Sequence, residues 1–400
     1  MTYIVDDGSS GESPWDKNDT SFDAWGRPKA YIDKSLFHGI FTYDIPYELF
    51  RIAEDGSYLL DNSTSTRVAT NNGIASISSG AILGNESLLK SKRSPRYQPN
   101  RGHLYSTAVF LENPTDNGFR DFGMFTIDNG VYFRLKNDGK LYARIDSLGA
   151  NQYEQEIIIP FTIDLSKGNI FDIQMQWRGV GNFSWFIGNP ATGKVTKVHT
   201  ANLLGTLDGK ASISNPALPC CYRSINNGDN VTIKTSCVDI TSEGGQAENY
   251  VYGSIIGTVA SLPSSSNVEF LAVKISETFN GEINTRDVIL DRITTSCDNE
   301  SVITVYSTND PSVFAGTTWN DYRGRDNIQY AYAYDLYANM TSTSLFPLIT
   351  TRVEQDFKNE IINPSRMNSF YLSAGDFILI AVKASTENSF TSTLEFSEEV

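Results

Sequence analysis

The chain has 400 residues, 40% of them hydrophobic and 20% charged, with a formal net charge of −15. That length is enough for two or three domains with their own cores, and no apolar run reaches the about 18 residues that a membrane helix needs. The acidic balance offers no concentrated basic face of the kind nucleic acid requires, so neither nucleic acid nor membrane insertion is expected.

In chain order, residues 1–36 are rich in Asp, Ser and Gly, with scattered aromatics at Trp15, Phe22 and Trp25. They lack core-forming periodicity and read as an extended arm. No basic segment followed by an apolar stretch opens the chain, so no Sec-type signal is expected. Residues 37–248 then run as short strands separated by turn clusters. Lys90–Arg101, "KSKRSPRYQPNR", holds five basic residues and no acid. It reads as a surface loop, with a phosphate or acidic-glycan contact as the alternative.

"VYFRLKNDGKLYARI" reads as a hairpin: Val131, Phe133 and Leu135 face inward, Asn137-Asp138-Gly139 turns, and Leu141, Ala143 and Ile145 face inward again. "FDIQMQWR" places Phe171, Ile173, Met175 and Trp177 on one face and Asp172, Gln174, Gln176 and Arg178 on the other, as in a half-buried strand. "GNPATGK" has the Gly188, Gly193 and Lys194 spacing of a phosphate loop. Val195 stands where Ser or Thr would hold magnesium, and the flanks alternate instead of starting a helix, so a hairpin is expected and no nucleotide. Trp177 and Trp185 read as core.

"TSEGGQAEN", Thr241–Asn249, looks like a boundary. Strands resume beyond it, and "FILIAVKA" is apolar on both faces, as an inner sandwich strand would be. The fold class is therefore all-β: two jelly-roll-like β-sandwiches, 37–248 and 249–400, preceded by the arm.

Catalytic chemistry finds little purchase. There is no Gly-x-Ser-x-Gly elbow, and His38, His103 and His199 are isolated. Glycoside cleavage needs two carboxylates about 5–9.5 Å apart. Asp116 with Asp121 and Glu154 with Glu156 are the nearest pairings, each more readily a solvated edge. Cys220, Cys221, Cys237 and Cys297 show no Cys-x-x-Cys spacing and read as buried free thiols, made in a reducing compartment. "DNES" and "NNGDN" are turns, without the Asp-x-Asp-x-Asp-Gly order of a calcium loop. No cofactor, metal or enzymatic activity is expected. The aromatics, 22 Phe, 20 Tyr and 5 Trp, include a row at Tyr330, Tyr332 and Tyr334. That row could pack in the core, line a subunit interface or stack on a glycan.

"DAWGRPK", Asp23–Lys29, resembles an Asp-Ala-aromatic-Gly-Arg signature near the N-terminus of many tailed-bacteriophage virion proteins, with Trp25 where Phe is usual. "RYQPNRGHLYSTAVF", "FDIQMQWRGVGNF", "NPALP" and "SCVDITSEGG" resemble the sandwich module that follows it. "TTRVEQDFKN" and "LSAGDFILIAVKAS" are similar to those proteins' terminal module. The resemblance implies a non-enzymatic structural component, a capsid decoration, head-fibre or tail-attached protein assembled in the bacterial cytoplasm. Its implied partners are other virion proteins and sister copies in a homo-oligomer. Trp15, Trp25 and Arg27 would anchor an arm that orders on a neighbouring subunit, unless it folds onto its own sandwich. The family's sandwich is similar to concanavalin-like jelly rolls, which adds a host-surface glycan as the alternative ligand; the 47 acids leave a depolymerase, without named residues, as a third and weaker option.

Overall fold

A computed structural model describes residues 34–60, 63–243, 250–262, 267–332, 345–353, 360–362, 371–384 and 388–399. Strands alternate apolar and polar residues as the sequence does, and two groups of sheets result. The first group contains β1 (Lys34–Ile40), β2 (Phe50–Glu54), β3 (Ser57–Tyr58), β4 (Val68–Asn71), β5 (Ile74–Ser78), β6 (Glu86–Ser91), β7 (Gly102–Phe110) and β8 (Gly118–Phe125). It continues with β9 (Gly130–Leu135), β10 (Leu141–Ser147), β11 (Ala150–Glu156), β12 (Asn169–Gln176), β13 (Asn182–Asn189), β14 (Lys194–Asn202), β15 (Cys220–Asn226) and β16 (Thr232–Glu243). One eight-stranded sheet runs β14-β13-β12-β7-β16-β5-β4, with β1 paired to β16; the other runs β11-β10-β9-β8-β15-β6-β2-β3. Lys34–Leu36, assigned to the arm from the sequence, lie in β1, because Phe37 and its neighbours already pair with the long strand β16.

The two sheets bury one aromatic-rich core. Phe171 of one sheet meets Phe122 and Phe133 of the other edge-on, at centroid distances of 4.9 and 5.2 Å. Fully burying such a ring stabilises the fold by roughly 1.5–3 kcal/mol. Trp185, wholly buried, donates its indole N–H to the Tyr132 carbonyl across the core at 3.2 Å, and Thr107 and Tyr222 hydroxyls meet at 2.6 Å. At the open side, Tyr153 of β11 bonds His199 Nε2 of β14 at 2.6 Å, joining the edge strands of the two sheets. The expected hairpin is β9–β10, with Gly139 at φ +72° in its turn and Leu135 opposite Leu141.

The second group contains β17 (Tyr250–Leu262), β18 (Asn267–Ile275), β19 (Thr278–Phe279), β20 (Glu282–Ile283), β21 (Val288–Cys297), β22 (Ser301–Thr308), β23 (Asn320–Tyr322) and β24 (Arg325–Tyr332). It ends with β25 (Phe346–Val353), β26 (Glu360–Ile362), β27 (Tyr371–Leu372), β28 (Phe377–Ala384) and β29 (Asn388–Glu399). The sheets run β17-β29-β21-β26, with β27 on β21, and β23-β24-β18-β28-β22-β25. Their shared core is aliphatic, with Ile255, Leu271, Leu290, Ile303, Ile380 and Leu394 among its members. β28 is the inner strand its sequence suggests: Ile378, Ile380 and Val382 face that core, while Phe377 and Leu379 join Val313 and Phe314 behind the sheet. The 3-10 turn Pro311–Phe314 supplies this backing, capped by Asp310, whose carboxylate accepts from the Ser312 N–H at 2.9 Å. Among the described residues, no helix is long and apolar enough to cross a membrane.

Candidate functional site

The most ordered polar array lies on the outer face of the β11-β10-β9-β8-β15 sheet. On β8, Phe122 and Met124 enter the core, so Asp121 must face outward. The register sets Arg134 of β9 and Arg223 of β15 directly opposite it, one on each side. Arg134 donates Nε and Nη2 to the two carboxylate oxygens, both at 2.7 Å; Arg223 donates Nε at 3.0 Å and Nη2 at 2.7 Å. Asp121 is wholly buried. Burial alone pushes its carboxyl up, but the charges and hydrogen bonds of the two guanidiniums outweigh that and hold its pKa below the usual value. Gly123, two residues on, sits at φ +156°; a Cβ there would meet the Val131 carbonyl at 2.6 Å, so only glycine lets β9 close over it.

From this clamp a ladder of charge continues outward. The Tyr132 hydroxyl donates to Asp146, Arg144 Nε donates to Asp146 Oδ1 at 2.9 Å, and Arg144 Nη1 donates to Glu154 Oε2 at 2.9 Å. Lys136 also binds Glu154 and lies 4.0 Å over the Tyr142 ring; Lys140 donates to Glu156 at 2.8 Å. Burial raises the Glu154 carboxyl, and the Lys136 and Arg144 contacts bring it below the ordinary range. Arg134 and Arg223 lie over the rings of Phe119 and Phe125 at 5.1 and 5.2 Å.

A second polar strip lies on the face of β12 opposite the core. Ser106 donates to Asp172 Oδ1 and Gln174 Nε2 donates to Glu243 Oε1, each at 2.6 Å. Phe171, Ile173 and Met175 are in the core as expected, but Asp172, Gln174 and Gln176 are 5%, 3% and 1% exposed, so the polar face is buried where the alternation suggested solvent. Ser184, opposite Gln174 in register, is also fully buried.

The other expected sites are distributed differently. Asp116 leans on Arg120 at 3.8 Å while Asp121 sits in its clamp, so each of these acids has its own cation. Glu154 and Glu156 do share a face, each neutralised by a lysine of the β9–β10 turn, Lys136 and Lys140. Gly188 and Gly193 belong to the β13–β14 hairpin, with Asn189 opposite Lys194 and Gly193 at φ +69°, and no helix follows. Tyr330 is half-buried against the second core, and Tyr332 pairs through its backbone with Leu271. Tyr334, Trp15, Trp25 and Arg27 lie outside the described residues. Cys220, Cys221 and Cys297 are buried, whereas Cys237 is exposed.

The basic stretch is not a free surface loop. Tyr97 is buried in the first core, and Arg93 donates to the Leu36 carbonyl at 2.5 Å, lies 4.3 Å over the Tyr371 ring and approaches Asp287 at 3.7 Å. Arg51 reaches Asp376 nearby at 2.6 Å. These contacts join the first group of sheets to the second. Beside them lies a cleft of about 320 Å³ lined by Arg96, Asn215, Phe279 and Arg286. The Arg223 side of the Asp121 clamp and the contacts between the two groups of sheets escape sequence reasoning because their partners lie about a hundred or more residues apart. The only local signal is the outward row Tyr132, Arg134 and Lys136 opposite Tyr142 and Arg144 in the hairpin.

No family model matches the chain, and no curated protein matches it. Among solved structures, an O-glycanase study of human gut microbiota members supplies one that is 10% identical over 52% of this chain and 99% of its own, with a TM-score of 0.40. A putative β-glucanase from Mycobacterium abscessus is 11% identical over 52% of this chain and all of its own, with a TM-score of 0.37. The CBM2 module of the evolved Dit protein of Lactobacillus casei phage J-1 is 10% identical over 54% of this chain and 98% of its own, with a TM-score of 0.36. The fold assignment rests on the strands described above.

Proposed function

We propose that this is a non-catalytic structural protein of a tailed-phage virion, which works by docking on other virion proteins and on sister copies through its sandwich faces and edges. The observation that carries the reading is the condition of the acids on the outer ladder. Asp121 and Glu154 are held as anions by paired cations on rigid strands. Glycoside cleavage needs the reverse for one of its two carboxyls, a raised pKa that keeps a proton ready for the leaving oxygen. On β12 the positions two and four residues beyond Asp172 are the amides Gln174 and Gln176, which do not exchange protons in this way. A face of fixed, alternating charges suits recognition of a complementary surface.

The resemblance of "DAWGRPK" to the virion signature supports the phage assignment. A second reading, adsorption to a host-surface glycan, draws on the acid, amide and hydroxyl groups of Asp172, Gln174 and Ser184, the types that bind sugar hydroxyls. Their burial argues for docking first. Cryo-electron microscopy of the intact particle is the test, with polysaccharide hydrolysis assayed in parallel. The expected result is density for the sandwiches against other virion proteins and no new reducing ends. Release of reducing sugar by the purified chain, or its absence from the particle, would overturn the proposal.

A further inference from the structure

The seam between the two groups of sheets sorts its charges by depth. Asp287 and Glu398 are buried, their side chains 2% and 5% exposed, while the arginines facing them, Arg93 and Arg286, are 18% and 30% exposed. The acids lie behind and the cations in front, on a chain whose net charge is −15. The cleft of about 320 Å³ opens here, and a pocket of about 20 Å³ beside it shares Ser94, Thr285 and Arg286 with it and adds Lys90 and Lys92. Among the described lining residues, the exposed acid is Glu282. Arg286 is fixed before any ligand arrives. Its Nη1 donates to Glu398 at 2.7 Å, and its guanidinium lies 4.7 Å over the Phe279 ring. A guanidinium carries five N–H donors in a planar fork that fits a carboxylate, so this contact leaves most of them for a ligand. A side chain already ordered loses little further freedom on binding. The Thr285 hydroxyl accepts from Asn215 Nδ2 at 2.9 Å, which leaves its own O–H to donate.

We propose that this cleft binds a carboxylate-bearing sugar, a uronate or sialate unit of an acidic glycan. Arg96 and Arg286 take the carboxylate, and the hydroxyls of Ser94 and Thr285 meet those of the ring. The arginines select an anion, since a planar fork reads a carboxylate with two parallel hydrogen bonds. The size and lining select a sugar. A site this small has room for about two sugar rings, not for the surface of a folded partner. Pro216, Phe279 and Ile283 line it beside Ser94, Asn215 and Thr285, and a sugar ring likewise carries apolar C–H faces beside its hydroxyls. An acidic peptide would need a sheet edge to extend or a row of side-chain pockets. The strands at the cleft, β19 and β20, are two residues each and already paired with one another.

The inference goes beyond the docking reading, adding a ligand at a place that reading does not use. Isothermal titration calorimetry of the full chain at low salt tests it, with trigalacturonate, sialyllactose and a hyaluronate oligosaccharide as acidic sugars. Lactose and polyglutamate serve as the neutral sugar and the acidic peptide. At least one acidic sugar is expected to bind and lactose is not. Arg96→Ala and Arg286→Lys should each weaken that binding about tenfold or more, the scale of one lost charge-assisted hydrogen bond. Lysine at 286 keeps a cation for Glu398 while removing the fork, and a thermal melt confirms that both variants fold. Three results overturn the proposal: none of the acidic sugars binds, both variants bind as tightly as the wild type, or polyglutamate binds as tightly as the sugars, which would mark a surface for an acidic peptide. Each leaves the particle-location and hydrolysis tests of the docking reading standing on their own.

Discussion

The two sandwiches solve the same packing problem with different materials. The first fills its interior with rings: Phe122, Phe133 and Phe171 interlock and Trp185 spans the gap. The second uses Ile, Leu and Val for most of its core and places its stacked rings, Phe314 over Phe377 at 4.8 Å, behind the sheet. The polar faces differ in the same way. The first holds a carboxylate sealed between two arginines, whereas charge pairs of the second such as Arg292–Glu395 remain 45% and 33% exposed. Aromatic packing and a buried charge clamp are directional, so the first sandwich is fixed by geometry where the second is fixed mainly by volume.

Substitutions can break that contrast. Asp121→Ala leaves Arg134 and Arg223 without their carboxylate at 11% and 13% exposure, and loss of one partner from a buried ion pair costs about 3–5 kcal/mol. Differential scanning calorimetry should show the transition of the first sandwich falling by several degrees or more. Acid sharpens the same point. Because the folded Asp121 pKa is depressed, its stabilisation is present above the unfolded carboxyl value and disappears as pH falls through the folded one. The first sandwich of the wild type should therefore lose stability on acidification, and Asp121→Asn should flatten that loss.

His103 acts at milder pH. Burial lowers its pKa from 6.5 to about 4, so between those values the unfolded chain takes up a proton that the folded chain refuses. Stability from this group is complete above pH 6.5 and falls as pH drops towards 4, by about 3 kcal/mol in all. His103→Gln should remove that slope from urea denaturation curves. In the second sandwich, Ile380→Val removes one methylene from a fully buried site and should cost about 0.5–1.5 kcal/mol. The Arg292→Ala change, at an exposed pair, should cost at most about 1 kcal/mol, read as a small shift of the second transition.

Local features were legible in the sequence. The β9–β10 hairpin follows from its alternation and Asn-Asp-Gly turn, and the core positions of β12 follow from period two. What lies over a strand does not follow, which is why Asp172, Gln174 and Gln176 look solvent-facing in sequence and are buried in the fold. Register is a tertiary property, so Arg223 cannot be matched to Asp121 by spacing. Cys237 is exposed because β16 shifts register between Thr235 and Cys237 where it meets β7. A bulge of this kind puts residues beyond it out of phase with simple alternation.

The pairing of the outermost strands has a consequence for how the chain folds during synthesis. β1 pairs with β16, Lys34 opposite Ser242, and β17 pairs with β29, Tyr250 opposite Glu399. In both halves the strand made first waits for the strand made last. Neither half can close on the ribosome until its final segment has emerged, and contacts of such long sequence separation make that closure slow. The same arrangement sets the two ends of each half side by side. Each is thus suited to excision, or to reconnection with new termini, without breaking a sheet.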